Sequence, residues 1–264
     1  MNAKIGIVVP TLGSRPEYLE QCLESIAYSK LGADNVHVTL VAPRKMDCSK
    51  YLNSGLANSH VYDPEEGLAA AINLGFSSMP EEIEYINWLG DDDLLEPGSL
   101  TATSSILDKF SNLVLVFGQC NYIDSTGATV WRNKSGPWAK SLLRFGPDLI
   151  PQPGALFRKS EFFKVGGLNT NYRWAFDFDL FIKLSKAGRF GYLNRVLASF
   201  RWHPESLSVE HREKSVYEAS RVRVSHLPGA LRVIATIWEL PVRWATLLAG
   251  LRLTREIGKT QVRQ

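Results

Sequence analysis

Short apolar, β-branched runs alternate with stretches of helical period through the first half of this chain, and no other feature constrains its fold as tightly. Ile5 to Val9 is a continuous run of the kind that fills a strand buried on both faces. A Pro10-Thr11-Leu12-Gly13-Ser14 loop follows, then Pro16 in the first turn of a helix on which Leu19, Cys22, Leu23 and Ile26 recur at helical spacing. Val36 to Val41 reads as a second strand, and Leu68 to Phe76, rich in alanine, as another helix. Such alternation predicts an α/β fold with a mostly parallel central sheet flanked by helices.

A third strand, Tyr85-Ile86-Asn87-Trp88-Leu89, ends abruptly in Gly90 and three carboxylates, Asp91, Asp92 and Asp93. Adjacent like charges repel, and covering them costs solvation, so a buried strand end of this kind calls for a counter-ion. Hard cations such as Mg²⁺ or Mn²⁺ take carboxylate oxygens and leave other positions to water and phosphates, which points to a metal–diphosphate site. The plainer reading is a turn and N-cap before a helix that starts near Pro97.

The 264 residues, 45% hydrophobic and 22% charged, suffice for one large α/β domain with an appendage. A net charge of +3 with no long basic run argues against a nucleic-acid partner. Cys22, Cys48 and Cys120 are widely spaced and odd in number, which fits neither a disulfide framework nor a zinc site. The start, Met1 to Gly6, lacks the apolar stretch of a secretory signal, so a cytoplasmic location is expected.

Further along, a helix is predicted from about Pro97 to Phe110, a strand at Leu113 to Phe117, and a hairpin over Asn121 to Trp131 turning at Asp124-Ser125-Thr126-Gly127. Asn133 to Pro153 is punctuated by Gly136-Pro137, Gly146-Pro147 and Pro151-Gln152-Pro153-Gly154, and reads as a mobile loop over a pocket. In open α/β sheets ligands bind beyond the carboxyl ends of the strands, which would bring Pro10-Thr11 and Asp91 to Asp93 to one rim. No Gly-x-Gly-x-x-Gly follows a strand, Gly258-Lys259-Thr260 has Leu253 where a P-loop needs glycine, and His203-Pro204-Glu205 has no Pro-Cys-x-x-Cys companion.

Six segments, in order, resemble the family 2 glycosyltransferases of the GT-A fold: Ile7-Val8-Val9-Pro10-Thr11; Gly67-Leu68-Ala69-Ala70-Ala71-Ile72-Asn73-Leu74-Gly75; Trp88 through Pro97; Gly166-Gly167-Leu168-Asn169; Phe176-Asp177-Phe178-Asp179 through Leu184; and Phe200-Arg201-Trp202-His203-Pro204-Glu205-Ser206. The resemblance covers about residues 4 to 208. It implies a Rossmann-like GT-A domain over 1–226, with a nucleotide-sugar-binding half at 1–118 and an acceptor-binding half at 119–226. It further implies a nucleotide-diphosphate sugar donor, a divalent metal (Mn²⁺ or Mg²⁺), and transfer of the sugar to a glycan or lipid-linked acceptor, usually with inversion.

Residue by residue, the resemblance implies metal contacts at Asp92, Asp93 and His203, and donor contacts at Pro10, Thr11, Asn73, Asp91, Asp92 and Arg201. Asp177 falls at the family's general base, with Trp174, Phe176 and Gln152 as acceptor contacts. Its aromatic neighbours would raise its pKa toward the working range. Asp179 reads better as a helix brace, and a lone histidine such as His203 is commonly a loop residue. Two departures stand out: Gly90 replaces the first aspartate of the family's Asp-x-Asp-Asp, and the second strand ends in Val41-Ala42-Pro43-Arg44-Lys45-Met46-Asp47 where an Asp-rich base-recognition segment is usual.

Past Leu227 the chain becomes a basic amphipathic appendage, 227–264, whose apolar positions are interrupted by Arg232, Arg243, Arg252 and Arg255. The charges are too frequent for a spanning helix. An interfacial helix at the inner leaflet, near a lipid-linked acceptor, suits this pattern, as does a helical pair folded on the core or a homodimer contact. The expected activity is sugar transfer in surface-polysaccharide or glycolipid assembly. Nucleotidyl transfer and a catalytically silent sugar-binding scaffold are the competing classes.

Overall fold

In the computed structural model of this chain, residues 4–29, 36–202 and 211–261 are described, 252–261 by backbone alone. The first strand, β1 (Ile5–Pro10), is buried from Ile5 to Val9 and lies between two parallel neighbours, β2 (Val36–Ala42) and β4 (Tyr85–Trp88). Beyond β2 runs β3 (Ser59–Tyr62), also parallel. Side chains alternate across this sheet with a period of two, so Val8 joins the core on one face while Ile7 and Val9 join the core on the other.

The helix α1 (Pro16–Ser29) buries Leu19, Cys22, Leu23 and Ile26, the positions its period predicted. A short α2 (Ser49–Asn53) precedes β3, and α3 (Leu68–Ser77) covers the opposite face. Close approach explains the small residues of α3: a Cβ on Gly75 would lie 2.7 Å from Val8 Cγ2 and 2.9 Å from Val41 Cγ2.

Among the described residues the order β3-β2-β1-β4-β8 (Leu156–Arg158)-β6 (Leu113–Ile123)-β9 (Arg189–Arg201)-β5 (Leu94–Leu95), with β7 (Thr129–Asn133) on β6, makes one 9-stranded sheet. Its first half is parallel as expected, and its second half is mixed. There β8 (Leu156–Arg158) pairs antiparallel with β4 and β6 (Leu113–Ile123), whereas β6 runs parallel to β9 (Arg189–Arg201). The two-residue β5 (Leu94–Leu95), just after the acidic segment, pairs antiparallel with β9, and α4 (Ser99–Lys109) packs beneath. The strand predicted at Leu113 to Phe117 continues into the hairpin: β6 runs to Ile123 and returns as β7 (Thr129–Asn133). Asp124 Oδ1 holds this turn by accepting from Thr126 N, Thr126 Oγ1 and Ala128 N, and Gly127 supplies the positive φ of 90°.

The segment expected as a mobile loop is hydrogen-bonded into the fold. Between Asn133 and Pro153 the chain forms one short helix, α5 (Ala139–Leu142), and is fastened along its length. Asn133 Nδ2 donates to Leu149 O, Gln152 Nε2 to Asn87 Oδ1 and Trp88 O, and Asn87 Nδ2 to Pro153 O. After α6 (Lys159–Lys164), α7 (Phe176–Ala187) carries the aromatic-aspartate segment, and α8 (Arg212–His226) packs against it. The appendage is helical, as α9 (Gly229–Ile234) and α10 (Thr236–Gln261), and is joined to the core by a buried ion pair: Arg223 of α8 donates through Nε and Nη2 to both carboxylate oxygens of Glu239, at 2.8 and 2.7 Å.

Candidate active site

Because β1 and β4 are parallel, the loops at their carboxyl ends open on the same side and form one wall of a cleft of about 630 Å³. Pro10, Thr11, Arg15 and Asp91 to Asp93 line that wall. The opposite wall comes from the 148–153 segment, the entrance to α7, and the ends of β6 and β9: Asp148, Gln152, Trp174, Phe176, Asp177 and Tyr122 among them. This size falls within the usual range of small-ligand sites.

The three aspartates differ in environment. Thr11 Oγ1 donates to Asp91 Oδ2 at 2.6 Å, and Arg15 Nη1 meets Asp92 Oδ2 at 3.3 Å. Asp93 is buried and accepts from Arg201 N at 2.9 Å. Burial first, then the charges of Asp92 and Asp91, push its carboxyl well above the usual carboxylate range, against the Arg201 N–H and guanidinium. A Cβ on Gly90 would lie 3.0 Å from both Asp92 Oδ1 and Asp93 Oδ2, so two carboxylate oxygens converge on the space beside that glycine. These hard oxygen donors suit Mg²⁺ or Mn²⁺, which needs only one or two protein carboxylates when ligand phosphates supply the rest. Among the described residues no group of three or more His, Cys, Asp or Glu is arranged to hold an ion. His203 lies outside the described residues.

Asp177 stands in the first turn of α7 and accepts from Phe178 N at 2.8 Å. Burial, reinforced by the charge of Glu218, raises its carboxyl to about 6, opposed by the backbone N–H groups of Phe178 and of Asp177 itself. The segment leading to it is held by Glu218 of α8, whose carboxylate accepts from Arg173 N, Trp174 N and Ala175 N at 3.1, 2.6 and 2.8 Å. Asp179 is a brace, as its position suggested: His226 Nε2 lies 2.7 Å and Lys183 Nζ 2.9 Å from its oxygens.

Two expected donor contacts face elsewhere. Asn73 is spent on the 166–168 turn, donating to Leu168 O at 2.8 Å and accepting from Leu168 N at 3.0 Å, and it does not line the cleft. Arg201 is 1% exposed, and its guanidinium supports the acidic wall from behind. Its Nε donates to Asp92 O, Nη1 to Asp124 O and Ser125 O, and Nη2 to Gln21 Oε1, while the Tyr18 ring covers it. A guanidinium consumed by carbonyl oxygens in the interior organises the backbone of the motif; it is not at the surface where a phosphate would bind. Conversely, sequence reasoning missed Arg15, Asp148, Glu218 and Arg223. A cation five residues after Pro10 on the rim was a usable signal for Arg15, and the others carry none.

Glycosyl transferase family 2 is the family whose model matches this chain, over residues 6–182. A glycosyltransferase of Rickettsia felis is 23% identical over 212 residues, which cover 76% of this chain and 34% of that protein. The chondroitin synthase of Pasteurella multocida is 25% identical over 148 residues, covering 56% of this chain and 15% of that one. The chain thus spans about a third of the length of the first relative and less of the second. Among solved structures, TarS 1–349 of S. aureus in complex with UDP-GlcNAc superposes with a TM-score of 0.63 at 14% identity, over 87% of this chain and 69% of that one. The mannosyltransferase PcManGT of Pyrobaculum calidifontis, in complex with GDP-Man and Mn²⁺, gives 0.62 at 16%, over 99% and 80%. These likenesses establish the GT-A fold. Matched over most of its sheet and on both walls of its cleft, the chain belongs to glycosyl transferase family 2.

Proposed function

We propose that this protein transfers a sugar from a nucleotide-diphosphate sugar to an acceptor hydroxyl, with inversion, in the assembly of a surface polysaccharide or glycolipid. The observation that carries this reading is the pairing, across one cleft, of an acidic strand end with the carboxylate of Asp177 at the start of α7. In this reading Asp177 takes the proton of the acceptor hydroxyl as its oxygen bonds to the anomeric carbon, and the bond from that carbon to the diphosphate breaks. Trp174 and Phe176 pack beside the acceptor, and Gln152 is held against β4 at the floor. Pro10, Thr11 and Asp91 flank the donor, and Asp92 and Asp93 would hold the metal. A bound Mn²⁺ or Mg²⁺ supplies charge to offset that developing on the diphosphate. Residues 1–118 form the donor half, 119–226 the acceptor half, and 227–264 an accessory element.

Calorimetric titration with UDP, GDP, dTDP and CMP, each with and without Mn²⁺, tests the donor side. One diphosphate nucleotide should bind tightly only with metal, and Asp93→Ala should weaken it by about tenfold or more. Binding of none of them would favour the silent-scaffold class.

A location at the inner membrane face is the companion proposal. No helix among the described residues is long and apolar enough to cross a membrane. However, Val233, Ile237, Leu240, Trp244, Leu248 and Leu251 form an exposed stripe at helical spacing, Val233 at 81% and Trp244 at 66% exposure. The other side of the appendage, with Glu239 and Trp238, packs inward on Arg223 and Phe145. Such a stripe on a basic segment suits an anionic bilayer surface. Trp244→Asp with Leu248→Asp should abolish sedimentation with phosphatidylglycerol vesicles; a concentration-dependent dimer with no vesicle binding would assign the stripe to a second copy.

A further inference from the structure

Transfer as described uses one carboxylate of the acceptor wall and leaves its neighbour without a task. Asp148 lines the same cleft as Asp177. Each anchors through a backbone N–H, Asp148 Oδ1 to Ile150 N at 3.0 Å and Asp177 Oδ1 to Phe178 N at 2.8 Å. Neither is ion-paired to a side chain among the described residues. Arg223, the cation nearest to hand, is engaged on both oxygens of Glu239 and donates Nη1 to Gly146 O, so it fixes the segment that carries Asp148 and its charge is already matched. Glu218, also of α8, adds a further negative charge and is consumed by three backbone N–H groups, while Arg212 and Lys214 of that helix lie over the Trp202 and Trp174 rings, Arg173 lines the cleft, and the Tyr122 phenol of β6 stands near Asp148.

Two carboxylates on one cleft wall, neither matched by a side-chain cation, oppose one another's ionisation. The surroundings divide the proton unequally. Burial and then the Asp177 charge push the Asp148 carboxyl well up, against Ile150 N–H and Arg223, while Asp177 rises only to about 6. Carboxylates driven apart in this way take different chemical roles.

We propose that Asp148 is a neutral hydrogen-bond donor of the acceptor pocket, holding an oxygen of the acceptor through its own O–H while Asp177 carries the pair's single negative charge. The assignment rests on Asp177 being the base. It adds that the acceptor offers two oxygens to this wall, one whose proton goes to Asp177 and one that accepts from Asp148. A protonated Asp148 also keeps a second anion from the attacking hydroxyl.

Carbon-13 NMR titration of aspartate carboxyls in the full-length protein tests this, with wild type, Asp148→Asn and Asp177→Asn compared in Mg²⁺. One signal should titrate near pH 6 and be lost in Asp177→Asn; a second should stay protonated through neutral pH and be lost in Asp148→Asn. In Asp177→Asn the Asp148 midpoint should move down, because the like charge is gone. An Asp148 carboxyl ionised at pH 7 in the wild type would overturn the proposal. In turnover, Asp148→Ala should lower kcat/KM about tenfold more than Asp148→Asn, because the amide still donates where the methyl does not; equal losses would overturn it too. Full turnover in Asp177→Asn would instead remove the base assignment, an outcome read separately from the titration.

Discussion

Asp177→Asn is expected to lower kcat for sugar transfer by about a thousandfold while leaving nucleotide-sugar affinity within about twofold of wild type. The substitution keeps the shape of the side chain and its contact with Phe178 N but removes the basic oxygen, and general-base catalysis is worth about 10²–10⁴ in rate. As the proposed base the carboxyl acts in its ionised form, so kcat should rise with pH through about 6 and level off above it. The same burial makes ionisation costly to the fold. An acid whose folded value lies above its unfolded one destabilises as pH rises between the two, so Asp177→Asn should be at least as stable as wild type at pH 7. Stopped-time transfer assays, with calorimetry for the donor and thermal melts for the fold, separate these effects. Near-wild-type turnover in a well-folded variant would remove Asp177 from the base role.

The second large effect is on stability. Arg223 and Glu239 are an ion pair with side chains only 2% and 6% exposed. Removing one partner leaves an unmatched buried charge, which costs about 3–5 kcal/mol, whereas replacing both by apolar groups is often near neutral. Glu239→Ala should therefore lower Tm by roughly 10 °C, with Arg223→Met/Glu239→Leu recovering most of it. A loss below about 1 kcal/mol in the single variant would mean that solvent reaches the pair. Because Arg223 also holds Gly146 O, the single variant should loosen the acceptor wall before the donor wall, raising KM for acceptor more than Kd for nucleotide.

What the sequence revealed and what it hid follow from the range of the forces involved. The strands and helices of the first half were legible because burial on both faces, period and capping are local properties, visible in Ile5 to Val9 and in the Leu19–Ile26 stripe. The acidic strand end was legible because three adjacent carboxylates are costly wherever they fall. Asn73 and Arg201 misled because a polar side chain's partner is chosen by the tertiary fold: the 166–168 turn captured one, and the Asp92 carbonyl with those of the β6–β7 turn captured the other. Asp148 lay in an aperiodic, proline-rich stretch with nothing to mark it. Glu218 and Arg223 are ordinary helical charges until α8 is laid against the 146–153 segment and the entrance of α7.

The segment read from sequence as a mobile loop over a pocket is hydrogen-bonded at both ends, to β4 through Gln152 and Asn87 and to α8 through Arg223. A wall fixed in this way selects its substrate as a mould does, by what already fits. Under the proposed acceptor role, discrimination among acceptors would reside in the shape and hydrogen-bond geometry of this wall, and changing the sugar accepted would require recutting residues 148–153 themselves.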